Sequence, residues 1–133
     1  MSTPELFLFF LFGYVATVAL ETPVLMLGLS EQHSTQARLM FGFLLTAFTY
    51  PVVVLLMAAT ILPAWGQVAY LVIAETYAPV AEVLFFRFVL NKKLFAAPDR
   101  DAIVIVLANI FSFVVGAAFL SDWISQLIRY LLR

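Results

Sequence analysis

Two carboxylates and a proline interrupt an otherwise lipid-soluble stretch, YLVIAETYAPVAEVLFF, Tyr70 to Phe86. Glu75 and Glu82 are seven residues apart, so on a helix of about 3.6 residues per turn they fall within about 20° of each other, two turns apart on one face. Pro79 follows Glu75 by four residues on roughly that face; lacking an N–H, it leaves the Glu75 carbonyl without its intrahelical donor and is expected to kink the helix. The stripe therefore offers two carboxyl groups and a free backbone oxygen. An ionised carboxylate at the bilayer centre costs at least ~2.5–3.5 kcal/mol, so this face is expected to meet the bundle interior, a partner or a water-filled cavity rather than lipid. Protonation, pairing with a cation and coordination of a bound ion would each meet that cost.

Glu21 poses the same problem in the first apolar run. Counted from one side of the membrane it is the sixteenth residue of its run, and Glu82 is the fifteenth of its own, so the two are expected at similar depth. Asn109, Thr46 and Thr49 come within a turn or two of that level, and each helix thus contributes a polar group to a middle-to-inner layer. Glu21, Glu75 and Glu82 form the candidate ion- or proton-binding set. Thr49, Tyr50, Tyr77, Arg87 and Asn109 are its candidate polar supports, and Pro79 its kink. Hydroxyl and amide side chains in membrane helices also serve simply as interhelical glue worth about 0.6 kcal/mol on average. Arg87 has two further options: reaching the interface with its long stem, or closing a structural ion pair with a Glu. Gly116, Ala117 and Ala118 are expected to allow close helix packing.

The elements that must position these groups follow from composition. The chain has 133 residues, 65% of them hydrophobic and 11% charged, with a mean hydropathy of +1.07, against ~45–50% and ~25% in soluble domains. An all-α integral membrane protein follows, with one domain of four spans in two antiparallel hairpins at about 6–29, 39–62, 68–90 and 102–120. The first run has no preceding Lys or Arg and exceeds a signal-peptide core, so it is expected to be retained. PAWGQ, Pro63 to Gln67, predicts a tight turn between the second and third spans. In segment 121–133 the apolar residues Trp123, Ile124, Leu127, Ile128, Leu131 and Leu132 recur at helical spacing opposite Ser125, Gln126, Arg129 and Arg133. That pattern fits an amphipathic helix in the interface, or a continuation of the fourth span. Five basic residues, Arg38, Arg87, Lys92, Lys93 and Arg100, lie at or near loops 30–38 and 91–101, against Arg129 and Arg133 at the other side. The bias predicts those loops in the cytoplasm and both termini outside.

Absent residues narrow the chemistry. With no cysteine, thiol redox and Cys-ligated metals are excluded. His33 is the sole histidine and sits in a polar loop, so paired-His haem or metal sites lack their ligands. No Ser-His-Asp, HExxH or glycine-rich phosphate loop is present, and no enzymatic activity is expected. A net charge of −1 gives nucleic acid no footprint. No cofactor or metal species can be named from the residues.

An acidic residue in the first of four spans, within ALETPVLMLGLS, resembles the small multidrug resistance exporters, which implies a Glu alternating between a proton and a cationic drug. The likeness covers the first span only. The third span, with two Glu and a proline, departs from that pattern, and no family is assigned on it. The reading that follows is a cation- or proton-binding protein acting in ion- or proton-coupled transport, its partners the bilayer and further copies of itself. The alternative is a non-catalytic accessory subunit of a larger membrane complex, its fourteen phenylalanines meeting partner helices or lipid.

Overall fold

The computed structural model describes residues 3–131; Leu132 and Arg133, which the sequence placed on the two faces of the last helix, lie outside the described residues, as does the side chain of Ser125. The chain is all-helical, with no strand among the described residues. Helix α1 covers Thr3–Gly28 and α2 Thr35–Pro51, followed by a π-helical segment, Val52–Met57. Helix α3 is Ala58–Val89, α4 Arg100–Val115, and a second π-helical segment, Gly116–Leu120, leads into α5, Ser121–Leu131. Three helical runs are long and apolar enough to cross a membrane: Pro4–Gly28, Thr35–Val89 and Arg100–Phe119.

The 55-residue run is not straight. Gly66, with φ 82° and ψ 174°, breaks it, a backbone conformation glycine adopts without a Cβ penalty. The segments on either side double back on one another: Phe48 stacks on Phe85 at 4.5 Å and the Tyr70 hydroxyl donates to the Val53 carbonyl. The reversal expected over PAWGQ is thus made at one residue. Pro79, by contrast, sits buried within helical dihedrals.

Helix starts lie earlier than hydropathy placed them, because caps sit in polar loops where hydropathy carries no signal. Ser34 accepts from the Ala37 N–H and starts α2 at Thr35 rather than Leu39; Asp99 accepts from the Ala102 N–H and starts α4 at Arg100. Helix α3 ends where Asn91 turns to φ 52°. The C-terminal segment continues the α4 run through its π-helical turn, and α5 packs against α1 with Ile124 and Ile128 buried and Trp123 exposed. Of the apolar face the sequence grouped together, only part is therefore covered by protein.

Side chains along the bundle fall into layers. Toward the 29–34 and 90–99 loops from the polar residues of mid-helix comes a buried apolar plug of Leu25, Leu29, Phe41, Leu45, Phe86, Ile105 and Ala108, with Phe41 and Phe86 in ring contact at 4.6 Å. Beyond it a second polar cluster ties the loops together. Close helix approach is made at Gly28, where an added Cβ would lie 2.6 Å from Val104, and at Gly42 against the Thr22 side chain. Gly116 is not such a site, since nothing lies within 4 Å of its would-be Cβ.

Candidate functional site

Glu21 comes from α1 and Glu82 from α3, and both are buried, 3% and 2% exposed. Their partners are supplied by the two remaining helices at i, i+3 spacing, which puts each pair on one helix face. Thr46 Oγ1 lies 2.8 Å from Glu21 Oε2 and Ser112 Oγ 2.8 Å from Glu21 Oε1. Thr49 Oγ1 lies 2.7 Å from Glu82 Oε1, and Asn109 Nδ2 donates to Glu82 Oε2 at 2.7 Å. Each carboxyl group is therefore held by one side chain of α2 and one of α4.

The two halves join through residue 109. Its side chain reaches Glu82, while its main-chain carbonyl lies 3.0 Å from Ser112 Oγ, which reaches Glu21. Both outer ends of the chain of bonds rest on α2 carbonyls: Thr46 Oγ1 is 3.1 Å from Gly42 O, and Thr49 Oγ1 is 3.2 Å from Leu45 O. One connected network thus crosses the whole bundle, and it needs both hairpins in place to exist.

Glu21, Glu82 and the half-buried Glu75 line a single cavity of about 210 Å³. Tyr50 closes part of its wall, its ring against Phe10 and Tyr14 and its hydroxyl against Gly13. Among the described residues no basic side chain pairs with any of the three carboxyls; Arg87, His33 and Lys92 pair instead with Asp99 or Asp101. Nor do three or more His, Cys, Asp or Glu converge as a metal site among the described residues. The arrangement can accept a proton or a small cation into a cavity whose walls are otherwise apolar or hydroxylic apart from the Asn109 amide.

Three of the residues proposed from the sequence lie elsewhere. Arg87 does not meet a Glu: it is buried and donates to the carbonyls of Leu94, Ala96 and Ala97 at 2.9–3.0 Å, folding the 90–99 loop against α3. A guanidinium's several forked donors match converging carbonyls better than one carboxylate a turn away. Tyr77 lines a shallow apolar pocket beside Phe48 and Phe85. Pro79 lines a larger apolar groove between α3 and α4, away from the carboxyl cavity.

Sequence reasoning missed a second cluster. Asp101, 2% exposed, accepts from the Ser30 N–H at 2.7 Å through Oδ1, while Oδ2 lies 3.0 Å from Ser30 Oγ, 2.9 Å from His33 Nε2 and 3.6 Å from Lys92 Nζ. Arg38 donates to the carbonyls of Met26, Ser30 and His33, and Arg100 to that of Gly28. The basic loop residues thus close exposed helix ends. The available signal was the pairing of two polar loops, SEQHS and PDRD, which only adjacent helix ends would bring together.

Comparison of the chain with protein-family models, with curated proteins and with solved structures found no match.

Proposed function

We propose that this chain crosses the membrane four times and takes up a proton or a small cation at Glu21, Glu75 and Glu82 in ion- or proton-coupled transport. The run from Thr35 to Val89 counts as two spans joined at Gly66. On the basic-residue bias, both termini lie outside and loops 30–38 and 91–101 in the cytoplasm. The observation that carries the reading is the cavity of about 210 Å³ on which three carboxyl groups converge with no basic partner among the described residues. Buried carboxyls without a protein cation must be neutralised by something that enters, and a site that exchanges its neutralising species can carry it. Four helices enclose little space, so a second copy would complete an aqueous path. No bond-making chemistry is assigned.

The second reading, an accessory subunit, is favoured by one feature, the apolar groove of about 720 Å³ between α3 and α4, which a partner helix would fill. Melting of the purified protein across pH and added mono- and divalent cations separates the two. Transport chemistry requires pH- or ion-linked stability in the parent that Gln at position 21, 75 or 82 diminishes while the fold persists. A parent protein that forms no defined homo-oligomer and melts alike in all conditions would leave the subunit reading.

A further inference from the structure

The hydrogens around Glu82 are countable, and the count distinguishes its two oxygens. Asn109 Nδ2 lies 2.7 Å from Glu82 Oε2 and 3.0 Å from the Ile105 carbonyl oxygen. A backbone carbonyl only accepts, so the amide nitrogen must face it, and both amide hydrogens are committed. Oε2 is therefore an acceptor whether Glu82 is charged or neutral. Oε1 faces Thr49 Oγ1, which has one hydrogen and two acceptors within reach, Oε1 at 2.7 Å and Leu45 O at 3.2 Å. A carboxylate draws that hydrogen to itself. A proton added to Oε1 reverses the bond: the carboxyl O–H donates to Thr49 Oγ1, and the threonine hydrogen turns to Leu45 O. No group loses its partner in either state.

Other threonines of the chain make the same bond to the carbonyl four residues back, but the Leu45–Thr49 turn stands just ahead of Pro51, whose missing N–H leaves the Ala47 carbonyl short of its helical donor, and the π-helical segment Val52–Met57 starts at the residue after Pro51. Threonine bonding to the carbonyl four residues back bends helices, and π-helical turns mark places where a helix gives. Thr46 stands in the same relation to Gly42 O and Glu21. The titrating groups facing Glu82 are Glu21 from α1, Glu75 from its own helix and Tyr50 from α2; from α4 come only Asn109 and Ser112, which do not titrate.

We propose that Glu82 takes its proton on Oε1 and that the Thr49 hydroxyl converts proton occupancy into a bend of α2 at the Pro51–Met57 segment. The inference rests on the reading of the cavity as a proton site. Proton balance is simple: one proton enters from the cavity and one O–H rotates, with no covalent bond broken in the protein.

Two measurements on the intact chain test it. Infrared difference spectra between acid and alkaline pH should show a protonated-carboxyl band that Glu82→Gln removes; Thr49→Val, nearly the same shape without a hydroxyl, should shift it to higher frequency, and Thr49→Ser should leave it in place. The chain has no cysteine, so spin labels at Leu44→Cys and Leu56→Cys, both exposed on α2 or its π-helical segment, report the bend without background. Their separation should change with pH in the otherwise native and Thr49→Ser proteins and stay fixed in Thr49→Val and Glu82→Gln. A pH-dependent separation that survives Thr49→Val, or a Glu82 band unmoved by it, overturns the relay while leaving proton binding intact. A spectrum with no titrating carboxyl band overturns both the relay and the proton-site reading. Thr49→Ala serves as the second hydroxyl-free variant should Val fail to fold.

Discussion

Removing the Asp101 carboxylate is expected to destabilise the bundle more than any other single polar change at the loop end. Asp101→Ala deletes the acceptor of the Ser30 N–H at 2.7 Å and the partner of His33 at 2.9 Å, and hydrogen bonds to a charged group contribute about 1.5–3 kcal/mol each. Two such bonds set a range of about 3–6 kcal/mol, and because Ser30 is only part-buried, water re-bonds part of what is lost and the lower end, about 3 kcal/mol, is expected. Asp101→Asn should cost less, about 1–2 kcal/mol: its oxygen still accepts from the Ser30 N–H, while its NH2 stands where Oδ2 received Ser30, His33 and Lys92. His33 can change tautomer to accept from that NH2, but Lys92 cannot. The assay is thermal or denaturant unfolding in detergent of the parent, Asp101→Asn, Asp101→Ala and His33→Ala. The expected order of stability is parent, then Asn, then Ala, with His33→Ala removing little further stability once Asp101 is already Ala. An Ala variant that unfolds with the parent, or additive losses at 101 and 33, would refute the claim that this cluster fastens the two loops together.

Arg87→Met should loosen the 90–99 loop at a cost of about 2–3 kcal/mol, from three lost donors to carbonyls that water then reaches, and leave any pH response of the Glu82 band unchanged; amide exchange in the loop and infrared titration check the two halves. Gly42→Ala must drive α1 from α2 against the Thr22 side chain and is expected to cost about 1–3 kcal/mol, whereas Gly116→Ala, with open space around it, should not lower the melting temperature. The buried Thr22 hydroxyl has no hydrogen-bond partner, so Thr22→Val, alike in shape, should melt at or above the parent temperature.

Several features of the site were readable because membrane helices impose simple arithmetic. Depth counting from the apolar boundaries placed Glu21 and Glu82 at one level, and in the structure they line one cavity. The seven-residue spacing of Glu75 and Glu82 fixed their common face whatever the neighbours. Arg87 was not readable in this way, because its three acceptors are loop carbonyls, and every loop has carbonyls. Pro79 was assigned by helix angle from Glu75, and four residues leave it about 40° round the helix, enough to turn it to the α3–α4 groove while Glu75 lines the cavity; Tyr77, offered only as a polar side chain near the glutamates, stands two residues from Glu75 and so about 200° round the helix.

Composition and the length of the apolar runs were enough for an all-helical chain with helices able to cross a membrane, since in lipid each segment must satisfy its own backbone hydrogen bonds. PAWGQ was enough to locate a reversal, because glycine takes positive φ at little cost. Which hydroxyl meets which carboxyl oxygen, that residue 109 bridges both glutamates, and that Asp101 gathers Ser30 and His33 from about 70 residues away are outcomes of helix rotation and pairing. Those depend on the summed packing of residues such as Leu25, Phe41, Phe86 and Ile105 at distances of a few ångströms, and no local pattern in the chain encodes that sum.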